Sequence, residues 1–149
     1  MQGLQLSNDA PIQIESDKLE IKDPESKAIF TGNVKVVQGT TTLQAGNMVV
    51  FYKSGSGSIS GGNAQIDRII VDQKVFLQSG TQQATADNGE FNMAAQTLVL
   101  KGKQVVLSEG KNVFTGCQLN VQMQTGEAQL EACGGRVQIQ LDPKSQKTN

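Results

Sequence analysis

The chain has 149 residues, enough for one domain with a sizeable core, and it contains no histidine. A formal net charge of −1, with Arg68 and Arg136 as the only arginines, excludes the electrostatic footprint of a nucleic-acid binder. Sixteen glycines, three prolines, and apolar and aromatic shares of 37% and 4% suit short strands and tight turns, and no run reaches the roughly 20 apolar residues of a membrane-spanning helix.

In chain order, residues 1–10 read as a flexible N-terminal segment. Met1-Gln2 passes directly into polar sequence, which is expected of a start placed at a mature N-terminus, with no signal peptide and no membrane anchor. One domain is expected over 11–143. PIQIESDKLEI (11–21) alternates as a strand, and three segments then superimpose without gaps on a glycine. These are VKVVQGTTTLQAGNMVVFY (34–52), VFLQSGTQQATADNGEFNM (75–93) and VVLSEGKNVFTGCQLNVQM (105–123), anchored on Gly39, Gly80 and Gly110. Apolar residues recur every second position on each arm, and their parity switches between the sixth and eleventh residues past the anchor. A bulge or corner is expected there, on strands of five to eight residues. Two-residue breaks are expected at Gly32-Asn33, Asp72-Gln73 and Gly102-Lys103, with a closing turn at Thr125-Gly126. The insert GSGSISGGNAQ (55–65) reads as a mobile surface loop, GRVQIQLDP (135–143) as a last strand, and 144–149 as a disordered tail. No helical period survives beyond one turn.

Catalysis finds little support. Without histidine, no Ser-His-Asp or Cys-His arrangement can form. Cys117 and Cys133 stand 16 apart without a CxxC, so no metal site is expected, and no cofactor either. Glu15 and Asp17 share one strand face but read as solvated acids, and Gly55-Ser56-Gly57-Ser58 is not a phosphate-binding loop. The chain is read as no enzyme. A carbohydrate-binding module would need exposed aromatic platforms, for which Tyr52 and five phenylalanines are few.

Several of these residues form a family pattern. Pro11, Ile12, Ile14 and Asp17, then Phe30, Gly32, Asn33 and Val34, then Gln38, Gly39, Leu43 and Ala45 resemble the opening of the LptA/OstA lipopolysaccharide-transport proteins. Looser matches continue through 100–116, 119–131 and 135–143, so the resemblance covers nearly all of 11–143. Cys117 and Cys133 depart from the pattern. The resemblance implies an all-β, twisted, open jelly roll in the periplasm that holds lipid A acyl chains of lipopolysaccharide in an apolar groove. It also implies LptC-like inner-membrane and LptD-like outer-membrane partners, and the missing anchor favours LptA over LptC.

The repeat's parity assigns the inward face, and the resemblance makes it the lipid groove. The residues are Ile12, Ile14, Val34, Val36, Leu43, Val50, Tyr52, Val75, Leu77, Phe91, Met93, Leu107, Leu119, Val121 and Met123. The competing reading is a self-polymerising structural β-repeat protein, which would pack its core shut where a carrier leaves a groove. Cys117 and Cys133 leave two alternatives open. A two-residue turn at Thr125-Gly126 sets Val121 opposite Leu130 and turns the sulfurs to different sides, whereas a bulge at Gly134-Gly135 brings them together. The terminal segments 11–21 and 135–143 would expose unpaired backbone groups, which suits head-to-tail self-association.

Overall fold

Alternating apolar residues with β-branched neighbours make extended chain, and glycine-centred turns fold it back on itself. In a computed structural model that describes Leu6, 11–53 and 65–141, ten antiparallel strands form one sheet. They are β1 (Gln13–Glu15), β2 (Lys18–Lys22), β3 (Lys27–Gln38), β4 (Thr41–Tyr52), β5 (Ile66–Ser79), β6 (Gln82–Asn92), β7 (Thr97–Glu109), β8 (Asn112–Gln122), β9 (Glu127–Glu131) and β10 (Gln138–Gln140). The one helical element among the described residues is a 3-10 turn at Asp23–Glu25. The expected insert up to residue 64, the tail and all of 1–10 except Leu6 lie outside the described residues. Leu6 itself is only 3% exposed and belongs to the core.

The three anchor glycines are the tips of hairpins. Gly39, Gly80 and Gly110 take φ near +58° in two-residue turns joining β3 to β4, β5 to β6 and β7 to β8. The opposite ends use four-residue turns at 23–26, 93–96 and 123–126, whose last residues, Ser26, Gln96 and Gly126, also take positive φ. Backbone bonds tie this end together: the Tyr52 amide donates to the Ser26 carbonyl at 3.0 Å and the Met123 amide to the Gln96 carbonyl at 2.8 Å.

The six central strands run 11 to 14 residues, longer than the expected five to eight. The difference has one cause. Gly32-Asn33 and Gly102-Lys103 do not end strands; they are bulges within β3 and β7, and the break expected at Asp72-Gln73 is a bulge within β5 at Gln73-Lys74, with Asp72 still paired to Asn88. The partner strands β4 and β6 skip at Gln44–Asn47 and Thr85–Asn88, where the expected parity switch falls. The bulges line up across the sheet as a crease, and the inner faces on both sides of it share one core. The edges divide at the same crease. β2 and β1 pair with the two halves of β3, and β9 and β10 with the two halves of β8.

The register at the C-terminal edge also differs from expectation. The closing turn takes four residues, so Val121 meets Ala128 instead of Leu130. Continuing that register sets Cys117 beside Ala132, and Cys117 and Cys133 are disulfide-bonded with their Cα atoms 5.8 Å apart.

Acids lock the crease at two places. The Asp17 amide donates to the Gly32 carbonyl at 2.8 Å, and Asn33 Nδ2 donates to Asp17 Oδ2 at 2.8 Å. Asp87 Oδ2 likewise accepts the Lys103 amide at 2.9 Å. Gly32 has φ +85°, and a Cβ there would stand 2.6 Å from Asp17 Oδ2, whereas a Cβ on Gly80 would meet nothing within 4 Å. Gly32→Ala is therefore expected to cost about 1–3 kcal/mol, from strained backbone and a displaced Asp17. Gly80→Ala carries only the backbone part. Urea unfolding of both variants checks this: equal midpoints would refute a structural role for the Asp17 contact.

Candidate functional site

The bulged strands present one side of every residue pair to a shared interior. Of the expected inward residues, Val34, Val36, Leu43, Val50, Tyr52, Val75, Leu77, Phe91, Met93, Leu107, Leu119, Val121 and Met123 are buried. Ile12 and Ile14 are half-buried and pack against the same core. Sequence parity therefore finds the face. It misses Ala28, Phe30, Met48, Ile69, Val71, Leu98, Leu100 and Val105, which are buried on the same face. Their signal was present as alternation around the crease, but reading the bulges as strand ends hid it.

In the middle of the sheet this interior is closed, with Met48, Ile69, Phe91, Leu98 and Leu119 essentially inaccessible. Toward the C-terminal edge it opens. Phe114 and Gly116 on the inner face of β8 are only half-buried, and Ile139, which pairs with Phe114, is 58% exposed. Val137 and Leu141 share its face and are exposed too. At the other edge Leu19 and Ile21 on β2 are exposed. Isolated exposed apolar residues are ordinary, but these five all fall on the two sheet edges.

The interior changes character toward the hairpin tips. Two residues beyond the apolar row Val36, Leu43, Leu77, Ala84, Leu107 and Phe114, on the same face, the paired positions are Gln38, Thr41, Ser79, Gln82, Glu109 and Asn112. Glu109 accepts from Gln82 Nε2 and from Thr81 Oγ1, each at 2.8 Å. Those hydrogen bonds, that from Gln82 first, hold its carboxyl below the ordinary glutamate range against a smaller opposing effect of burial. At the other end the Tyr52 hydroxyl donates to Asp23.

The outer face is different in kind. Depressions of about 430 and 460 Å³ lie there, the first among Glu15, Lys35 and Lys74 and the second among Asp72, Glu90 and Lys101. Their polar linings do not suit acyl chains. Among the described residues no group of three or more histidines, cysteines or acids is arranged to hold a metal. Glu15 and Asp17 do not form an acid pair, since Asp17 is committed to Asn33.

Comparison with known proteins bears on the same residues. The family described as "LptA/(LptD N-terminal domain) LPS transport protein" matches residues 13–127. An uncharacterized protein of Rhizobium meliloti (strain 1021) is 81% identical over 149 residues, which is 100% of this chain and 80% of that one. The lipopolysaccharide export system protein LptH of Pseudomonas aeruginosa is 26% identical over 114 residues, 76% of this chain and 64% of its own length. The crystal structure of LptH, described as the LptA-homologous periplasmic component of the lipopolysaccharide transport device, superimposes with a TM-score of 0.76. That match covers 92% of this chain and 99% of the other at 16% identity, and it places both in one jelly-roll-like fold.

Because Glu109 titrates below its ordinary value when folded, its contribution to stability is complete above the unfolded glutamate pKa of about 4.3 and is lost as pH falls through the lower folded value. Glu109→Gln is expected to be less stable than the native chain at neutral pH, with the gap closing under acid. Denaturant midpoints followed from pH 7 to about pH 3 test this; a constant gap would mean that the Glu109 charge has no folded-state advantage.

Proposed function

This chain belongs to the LptA/LptD N-terminal-domain family of lipopolysaccharide transport proteins, and from that premise we propose that it is a periplasmic carrier that shields lipid A acyl chains between the halves of its creased sheet. The observation that carries this reading is the run of apolar rows crossing the sheet from β3 to β8, one face of every long strand, with exposed apolar residues at both edges. An alkyl chain laid against such rows gains about 0.8 kcal/mol for each methylene removed from water. Aliphatic side chains dominate the interior and match an alkyl chain in polarity and contour. Entry is easiest at the C-terminal edge, where the inner face of β8 is half-open, and occupancy of the middle requires the two halves to part.

LptH is a periplasmic component of a lipopolysaccharide transport device, and that supports the same compartment and cargo for this chain. The finer partners follow from the same reading: an LptC-like component at one edge and an LptD-like component at the other. The edges suit that task. β2, β1, β9 and β10 are three to five residues long, and among the described residues each has a strand partner on one side only. A contact of the N-terminal edge with another copy's C-terminal edge is heterologous, so it extends instead of closing and joins the apolar interiors into one path. The closed middle of the core favours the second reading, a structural polymer without lipid, and ligand capture separates the two.

Photo-crosslinkers at Phe91, Met93 and Ile14 are expected to capture lipopolysaccharide, and those at outward Gln44 and Asn92 to fail. Equal capture from both faces would refute a groove. Deleting residues 135–149 is expected to weaken self-association in concentration-dependent light scattering; if the shortened chain associates as well as the full one, strand addition at that edge is wrong.

A further inference from the structure

The row at the hairpin tips has a composition that a sealed core does not need. Gln38, Thr41 and Ser79 are 8%, 5% and 5% exposed, yet they face the same interior as the aliphatic rows beside them. With Gln82, Glu109 and Asn112 they make an unbroken polar line across six strands. The corresponding positions at the other tips are Tyr52, Met93 and Met123. The interior is thus amphipathic along the strands, polar at the hairpin rim and apolar from there to the far turns.

Gln82 is the centre of that rim. Its amide nitrogen must face Glu109, because the carboxylate accepts hydrogen bonds and a flipped amide would set oxygen against oxygen. Gln82 Oε1 is therefore turned away from Glu109, buried and without a partner. Beside it, Ser79 and Thr40 hydroxyls lie 3.3 Å apart and can each donate or accept. A buried acceptor held in place by its own amide, among hydroxyls, calls for a ligand that brings hydrogen-bond donors. The row carries one charge, the Glu109 carboxylate, and no cation. It therefore disfavours a phosphate and favours uncharged hydroxyl and amide groups.

We propose that this rim is a headgroup subsite, in which Gln82, Ser79 and Glu109 receive the hydroxyl and amide groups of a glycolipid's saccharide while the neighbouring apolar rows receive its acyl chains. The proposal rests on the carrier reading and adds to it an orientation: the sugar sits at the hairpin tips, and the chains point across the crease. One hydrogen-bonded acceptor is worth about a five- to tenfold change in affinity when it is lost from a dry site.

The experiment uses the full chain and three probes: lipid A, lipid A stripped of its phosphates, and palmitate. Gln82→Met preserves length and removes both polar atoms, and Ser79→Ala is a milder second variant. Unfolding midpoints establish that each variant folds. The expected result is that both variants bind either form of lipid A about five- to tenfold more weakly and bind palmitate as the native chain does. Equal losses for lipid A and palmitate, or no loss for either, would overturn the subsite. So would lipid A binding that depends on its phosphates and not on Gln82. If the native chain binds palmitate and lipid A alike, the carrier stands and the rim falls; if it binds neither, both fall.

Discussion

A single sheet can enclose a core only if it bends, and the bend at the bulges is the constraint on which everything else here depends. Each long strand must present apolar residues inward on both sides of the crease, so its parity must change there. A strand without the bulge would turn half its apolar residues out to water. The polar groups exposed by the skipped pairs must then be satisfied, and Asp17 and Asp87 do this from neighbouring chain. The matching is local and repeated: Asp17 serves Gly32-Asn33, and Asp87 serves Gly102-Lys103, at the same separation along the chain.

That repetition explains which parts of the fold were legible. The inner face could be read because aliphatic residues recur every second position around Gly39, Gly80 and Gly110, and burial enforces that spacing. Gly-Asn and Gly-Lys pairs were misread because their chemistry serves a turn and a bulge equally well; both need positive φ or missing side-chain bulk. Only the residues across the ladder decide between them, and those are set by pairing. Likewise, the β8–β9 turn ends at Gly126 whether it holds two residues or four, so its register was not local information. The polar rim was hidden for a related reason. Gln38, Ser79 and Glu109 each directly precede a turn glycine, where polar residues are expected in any hairpin. Their inward facing becomes visible only when the strands are paired.

The disulfide has a place in the same scheme. Cys133 follows β9 and precedes β10, so the bond to Cys117 holds the chain where it crosses from one half of β8 to the other. A loop of 16 residues closed in this way gains about 3 kcal/mol from the restricted unfolded chain. Among the described strands, β10 at this edge is the one exposed at every residue. A covalent tie supplies there the order that packing supplies in the middle.

The sheet also has a property that ordinary two-layer sandwiches lack. The six long strands, β3 to β8, pair strictly in chain order, and each hairpin carries its own bulges, its own tip glycine and its share of the interior. Length and cross-section are therefore independent variables. Adding or removing one hairpin would change the interior's length by two strand spacings, about 9–10 Å, while leaving its width and the two edges as they are. A sheet built this way can fit different spans by counting hairpins, with no redesign of its inner face.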